Sequence, residues 1–362
     1  MEMRTAMGMV ELEVWYGKDP QTGRWGCPIR ERWGLRAHQQ MSPVLEERLA
    51  FMVTVTFSYE AASRAVRKWG CPIDASVIHA VVQRCGKKAE ERMQEQRERL
   101  PDEKESQRES TELGVLMIDG WYGRFRGEGW GKKKTKKERV EWHEIKTGLF
   151  YRQEQAGRTE KDRGVISAKA VVRWEGQLLE FGQRLDWEAQ RRGLSRAKDL
   201  LALGDGAHWI WNLVEDRWSQ AHQALDFWHG SQHLWELGRA YCGNDEVRSK
   251  EWVEKRLHQI RHGQEKAVLK ELAQLKVPRG PRGKLVRREQ NYFASHEQRM
   301  NYQELSDRGW PIGSGAVESQ CNQAQGRFKR SGQFWTREGF RHLSALDEAW
   351  LNERWDELWL AA

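Results

Sequence analysis

Two short apolar runs, each closed by an aspartate beside glycine, constrain this chain more than any other feature. Val115-Leu116-Met117-Ile118 ends at Asp119, which is followed by Gly120-Trp121. Leu201-Ala202-Leu203 leads into Gly204-Asp205-Gly206. A short continuous apolar run reads as a strand buried on both faces. Each strand is therefore expected to end at its carboxylate, with a small neighbour that leaves room for a bulky ligand. A third acid, Glu318, lies in Gly313-Ser314-Gly315-Ala316-Val317-Glu318-Ser319. That stretch reads as a tight turn entering a helix, with the negative charge in the first turn, where the helix dipole favours it.

Around these acids, from about residue 112, strands and helices alternate. Residues 140–152 and 164–174 read as two more strands. Residues 176–192 read as an amphipathic helix carrying Leu178, Leu179, Phe181 and Leu185. Then come a strand at 199–203, a helix at 207–218, a strand at 221–227 and a helix at 231–241. Three strands, helix, strand, helix, strand, helix is the RNase H-like order. The expected fold is an α/β, RNase H-like catalytic domain over 113–362 with a mixed five-stranded sheet. A charged helical stretch at about 244–308, broken by Pro278-Arg279-Gly280-Pro281-Arg282-Gly283, reads as an insertion ahead of the Glu318 helix.

An all-α region precedes that domain. In 44–95, Leu45, Leu49, Ala50, Met52 and Val53 repeat at helical spacing, Ser58 caps a second helix, and Trp69-Gly70-Cys71-Pro72 stops it. Asp74 opens a third helix with Val77, Ile78, Val81 and Val82 on its apolar side. Helix, short turn, helix is the helix-turn-helix pattern of a DNA-binding region. It would place Ser76, His79, Gln83 and Arg84 toward the major groove. The same residues also read as an αα-hairpin in a bundle. Residues 96–112 are charged and read as a linker, and 1–43 as an arm. In the arm, 10–16 alternates like a strand and Asp19-Pro20-Gln21-Thr22-Gly23 reads as a turn, so a β-hairpin is expected.

Charge and cysteine usage narrow the setting. The net charge is +8, with 31% charged residues, which favours a polyanionic partner such as DNA. The five cysteines show no Cys-x-x-Cys spacing, which fits free thiols in a reducing cytoplasm. No apolar run approaches the roughly 20 residues that span a bilayer, and no signal segment opens the chain. A cytoplasmic, nucleoid-associated protein with no membrane partner is expected.

The chemistry that suits three such acids is two-metal phosphodiester cleavage. Mg²⁺, or Mn²⁺ in its place, needs only a few carboxylates plus phosphate oxygens. Asp119 is expected to bridge two ions, Asp205 to hold one and Glu318 the other. A second cluster, Asp226-Phe227-Trp228-His229, follows the fifth strand. His229 is a candidate to orient a phosphate or to donate to Asp226; the pair also reads as one that only fixes the strand end. His233 is expected to be structural. Lys132, Lys133, Lys134, Lys136, Lys137 and Arg139 form a basic loop, and Arg327, Lys329 and Arg330 a basic group near Glu318. Arg279, Arg282, Lys284, Arg287 and Arg288 form a third basic patch. All three are candidate DNA contacts. Most of the 20 tryptophans are expected in the core, with Trp121 and Trp130 as candidates for stacking on bases.

Met117-Ile118-Asp119-Gly120-Trp121, Gly204-Asp205-Gly206-Ala207-His208-Trp209, Asp226-Phe227-Trp228-His229 and Pro311-Ile312-Gly313-Ser314-Gly315-Ala316-Val317-Glu318-Ser319 resemble the signatures of bacterial insertion-sequence transposases of the ISKra type, themselves similar to the mutator-like DDE group. The likeness extends over roughly 45–359 and includes Arg327-Phe328-Lys329-Arg330-Ser331-Gly332-Gln333-Phe334-Trp335. It implies Asp119, Asp205 and Glu318 as the catalytic triad and Asp226 with His229 as the accompanying Asp-x-x-His signature. It also implies a helical insertion between the second and third acids. The implied partners are double-stranded DNA, as terminal inverted repeats and as target, and further copies of the chain in at least a dimer. The chain departs from the pattern near its start, where a Cys-rich zinc-binding stretch is reduced to Cys27. A DNA-binding protein without catalysis and a two-carboxylate glycosidase are the competing readings.

Overall fold

The apolar run before Asp119 forms a buried strand, but the strand does not stop at the carboxylate. In the computed structural model, which describes residues 1–33, 35, 39–56, 58–99, 111–131, 139–243 and 245–359, it covers Leu113–Arg126 (β1). Val115, Leu116, Met117 and Ile118 are all buried, so both faces are covered there. Beyond Asp119 burial alternates, with Trp121 buried and Tyr122 exposed, as in a strand with one wet face. The expectation of a strand end at Asp119 is thus corrected. What ends there is the pairing with one neighbour.

Four more strands complete a mixed sheet: β2 (Val140–Arg152), β3 (Ala170–Trp174), β4 (Asp199–Gly204) and β5 (His222–Leu225). Their order is β5-β4-β1-β2-β3. β4 runs parallel to both β1 and β5, and β3 runs antiparallel to β2. Gly204 pairs with Ile118 on one side and Leu225 on the other. The residues that follow these three, Asp119 within β1 and Asp205 and Asp226 just past β4 and β5, therefore lie at one level of the sheet. The expected strand at 164–174 is split. Gly164–Ile166 pairs with Ala156–Arg158 in a separate ribbon, and only Ala170–Trp174 joins the main sheet.

The chain is mixed α/β, with thirteen α-helices among the described residues, and divides into two compact units. One unit comprises 100–123 and 142–331 and holds all the acids of interest. In it, Phe181 and Leu185 of the Leu178–Arg191 helix and Ile210 and Val214 of the His208–Arg217 helix bury against Leu116 and Ile118 of β1. Side chains alternate across a strand, so Asp119 and Trp121 face the other way. There they meet the Gly315–Phe328 helix, whose Phe328 ring lies 6.4 Å from that of Trp121. Trp121 is a core residue and does not offer a stacking face. The insertion is helical as expected, with helices at Glu246–Arg261, Glu265–Ala273, Pro281–Ser295 and Tyr302–Asp307. Its Val253, Val268, Val286 and Phe293 join the core through the Phe227–Cys242 helix.

The other unit comprises 1–99, 124–141 and 332–362. Pro43–Thr56, Tyr59–Lys68, Ala75–Glu98 and Arg337–Leu351 form a helical bundle in it. Ser58 caps the second helix by accepting from Ala61 N–H at 3.2 Å. Ala75–Glu98 is the central helix and touches Arg337–Leu351 closely: a Cβ on Gly86 would lie 2.4 Å from the His342 carbonyl oxygen. Residues 332–362, expected with the sheet, thus belong to the bundle. The cause is aromatic packing, since Phe51 meets Trp350 and Trp355 with centroids 5.0 and 5.6 Å away. The arm forms two short ribbons, Glu2–Thr5 with Gly8–Glu11 and Gly17–Lys18 with Trp25–Gly26. Asp19 makes the expected turn by accepting from Gln21 N–H at 2.8 Å, but the strand expected at 10–16 ends at Glu11. All five cysteines are buried and none is in a disulfide. Among the described residues no helix is long and apolar enough to cross a membrane.

Candidate active site

Asp119 is half-buried. Its Oδ1 accepts from Gly120 N–H at 2.6 Å, and the Cys321 thiol hydrogen-bonds the same carboxylate. Burial pushes the Cys321 thiol well up, so it stays protonated and serves as a donor. Burial also raises the Asp119 pKa, and the negative charges of Asp205 and Glu318 raise it further, against the lowering effect of the two hydrogen bonds. Three carboxylates, one within β1, one just past β4 and one in a helix, therefore share one electrostatic neighbourhood.

Asp205 Oδ1 accepts from Ala207 N–H at 2.9 Å, the geometry of an Asx-turn. Its backbone carbonyl accepts from the Tyr292 hydroxyl at 3.1 Å. Gly206 has φ +100°, and a Cβ there would lie 2.9 Å from Tyr292 Oη and 3.0 Å from His296 Nε2. Only glycine combines that backbone with that close approach. Glu318 sits in the first turn of the Gly315–Phe328 helix with its side chain exposed.

Asp226 is placed by the register at the same level but uses its carboxylate differently. It is 5% exposed. Oδ1 accepts from His229 N–H at 2.6 Å, which caps the Phe227–Cys242 helix. Oδ2 accepts from the Ser314 hydroxyl at 2.8 Å and from the Ser314 backbone N–H. Asp226 is thus a clasp between the end of β5 and the start of the Glu318 helix. With three donors it has little capacity left for an ion. His229 meets Asp226 through its backbone and not through its ring, so the expected ring-to-carboxylate bond is absent. Its imidazole is half-buried, 5.0 Å from the His233 ring.

The insertion supplies a supporting layer that the sequence reading did not identify. Glu289, Tyr292 and His296 lie three and four residues apart, on one face of the insertion helix and its end. His233 Nδ1 bonds Glu289 Oε2 at 2.6 Å and stacks on Tyr292 at 3.7 Å. His296 is pushed down to about 4, chiefly by burial and then by Arg299 and His208, so it is neutral near pH 7. The i, i+3, i+7 spacing was the available signal.

The basic candidates divide. Arg327 is 2% exposed, with its guanidinium 5.4 Å from the Phe328 ring centroid. Its stem faces the core, so it does not present itself to phosphates. Lys329 is half-buried, 5.2 Å from the Trp142 ring, and Arg330 is exposed. Lys132, Lys133, Lys134, Lys136 and Lys137 lie outside the described residues. Within the bundle, Gln83 shares a hydrogen bond with His342 at 2.9 Å and Arg84 pairs with Glu46. Both are thereby engaged inside it, whereas His79 is exposed beside Tyr59. In the insertion, Arg282 binds the Ala240 carbonyl at 2.9 Å and Arg288 pairs with Glu236 and Glu289. Of that basic patch, Arg279, Lys284 and Arg287 are exposed and take no part in these contacts. Trp130 is half-buried, 4.7 Å from Phe334. Trp228 is 60% exposed and lies over Gly313, where a Cβ would come within 2.9 Å of its ring.

Among the described residues no group of three His, Cys, Asp or Glu side chains is drawn together tightly enough to hold a metal ion. Asp119, Asp205 and Glu318 are neighbours that do not close on one point.

No curated protein matches the chain. The model of a family described as "Uncharacterised protein family (UPF0236)" matches residues 1–353, so the chain belongs to that family.

Proposed function

We propose that this member of UPF0236 is a DNA transposase, a metal-dependent polynucleotidyl transferase that nicks element ends and joins the freed 3′-hydroxyl to target DNA. The observation that carries this reading is the strand register, which sets Asp119 within β1 and Asp205 just past β4 at one level of adjacent parallel strands, with Glu318 close enough to add to the charge load on Asp119. The order β5-β4-β1-β2-β3, with β4 parallel to both neighbours, supports an RNase H-like sheet. A helical insertion between the second and third acids supports the same reading.

The donor set fits hard divalent cations. It offers oxygen only, and the Asp119 pKa is raised by burial first and then by the neighbouring charges of Asp205 and Glu318. Asp119, Asp205 and Glu318 would hold Mg²⁺, with Mn²⁺ as the substitute; such ions activate water and stabilise the leaving oxygen of a phosphodiester. The chain itself orients these ligands. Gly120 and Cys321 fix the Asp119 carboxylate, Ala207 fixes Asp205, and Asp226 holds the entry to the Glu318 helix. The His229 imidazole remains for contact with a phosphate.

The test is divalent-ion-dependent nicking of duplex DNA that carries the sequences flanking the gene. Asp119→Asn, Asp205→Asn and Glu318→Gln should each abolish nicking while leaving duplex binding intact. Binding without cutting by the wild-type chain, under either Mg²⁺ or Mn²⁺, would point instead to a non-catalytic DNA-binding protein.

A further inference from the structure

A cavity of about 270 Å³ lies in the sheet-containing unit, lined by Phe150, Tyr151, Arg152, Gln155, Lys169 and Arg192 together with Leu194. It is not part of the carboxylate site. Thr111, two residues before β1, bonds Glu154 beside the cavity at 2.8 Å, which places the cavity at the end of the sheet where β1 begins. Asp119 lies six residues along β1 from Leu113, about 20 Å away at the usual strand rise.

The cavity is unusual in its charge. Three cations line it, from β2, from the turn before β3 and from the end of the Leu178–Arg191 helix. Glu188 pairs with Arg192 at 3.0 Å, and Glu154 is held by Thr111. Arg152 spends one N–H on the Arg192 carbonyl at 3.0 Å, which leaves most of its five donors. Among the described residues, neither the Lys169 ammonium nor the Tyr151 hydroxyl has a hydrogen-bond or ion-pair partner. Lys169 is nonetheless half-buried, and Arg173 is a like charge beside it. A partly desolvated ammonium beside another cation and without a counter-ion stands at a free-energy cost. Phe150 and Leu194, both nearly fully buried, give the cavity an apolar floor that would strengthen any charge pairing within it.

We propose that this cavity binds a phosphate group. Two guanidinium groups, an ammonium and a tyrosine line it from three elements, a donor set that suits a tetrahedral oxyanion with several acceptor oxygens. The phosphate comes either from a free nucleotide or from a DNA backbone. The inference does not depend on the transposase reading.

The experiment compares the full chain with Lys169→Met, which keeps the aliphatic stem and removes the uncompensated charge. Inorganic phosphate, AMP and a duplex without element ends are each titrated, with thermal melting as a second readout. Lys169→Met should fold at least as stably as the wild type. Phosphate and AMP should raise the wild-type melting temperature and bind it at least about tenfold more tightly than they bind the variant, as expected for one charge-assisted contact. If only duplex affinity falls in the variant, the source is a DNA phosphate. Equal affinity of wild type and Lys169→Met for all three probes, or no binding of any probe to the wild type, would overturn the proposal.

Discussion

At the scale of single residues, the account turns on how Asp119 and Asp226 differ. Both lie at the same level of the sheet, yet Asp119 is buried beside two like charges whereas Asp226 is held by three donors. Because burial, Asp205 and Glu318 raise the Asp119 pKa above 3.8, the folded state holds its proton more firmly than the unfolded chain does. Below pH 3.8 both states are protonated and the cluster costs nothing; as the pH rises through the folded-state pKa, the fold must carry the charge and loses stability. Asp119→Asn should therefore melt higher than wild type at pH 7 in EDTA, with the gain vanishing as the medium is acidified. Equal melting temperatures at neutral pH would contradict the charge cluster. Asp226 predicts the opposite sign. Asp226→Ala leaves Ser314 and His229 donors unpaired and should cost about 3 kcal/mol, at about 1–3 kcal/mol per buried unsatisfied group. Asp226→Asn, which keeps one acceptor oxygen, should lose less. Chemical denaturation measures both, and a fully stable Asp226→Ala would remove the clasp. The sequence placed both aspartates at the same kind of position. What separated them was Ser314, 88 residues away, and no spacing rule anticipates such a partner.

At the scale of elements, strand order was legible because buried runs and amphipathic helices carry their own periodicity. Lengths were less so. β1 continues to Arg126 because Trp121, Gly123 and Phe125 bury one face while Tyr122 and Arg126 stay wet, a pattern masked by the glycines and charges around it. Arg327 misled for a related reason: a basic residue near the end of a helix reads as surface, whereas here its position turns inward beside Phe328. The insertion was recognised as helical, but its role was not. Its Tyr292 and His296 press on the Asp205 turn at Gly206. Gly206→Ala should cost about 1–3 kcal/mol from the left-handed backbone alone and more from the clash with Tyr292. It should also lower any nicking activity further than the stability loss explains. Measuring melting and nicking together tests this, and an alanine variant with wild-type values for both would show that the insertion does not support the site.

At the scale of the whole molecule, the end of the chain, expected with the sheet, groups with the helical bundle. Residues 332–362 join the helical bundle because Phe51 and Glu47 offer partners for Trp350 and Trp355. Partners far apart in sequence are invisible to local pattern. The helix-turn-helix reading meets the same limit: Ala75–Glu98 is the central helix of the bundle, with Gln83 and Arg84 engaged inside it. Reading that helix as DNA-facing therefore rests on Ser76 and His79. Asp119 within a buried strand, Asp205 just past a strand and Glu318 at a helix entry sit on elements that local sequence can specify. The most direct test of the central claim is nicking of flank-bearing duplex DNA by the wild-type chain, Asp119→Asn and Glu318→Gln, with Mg²⁺ and with EDTA. The account predicts nicking by the wild type with Mg²⁺ alone. Each variant should lose more than the roughly 10–100-fold that removal of an outer-shell partner costs a metal site. Undiminished nicking by Asp119→Asn, or nicking that persists in EDTA, would contradict it.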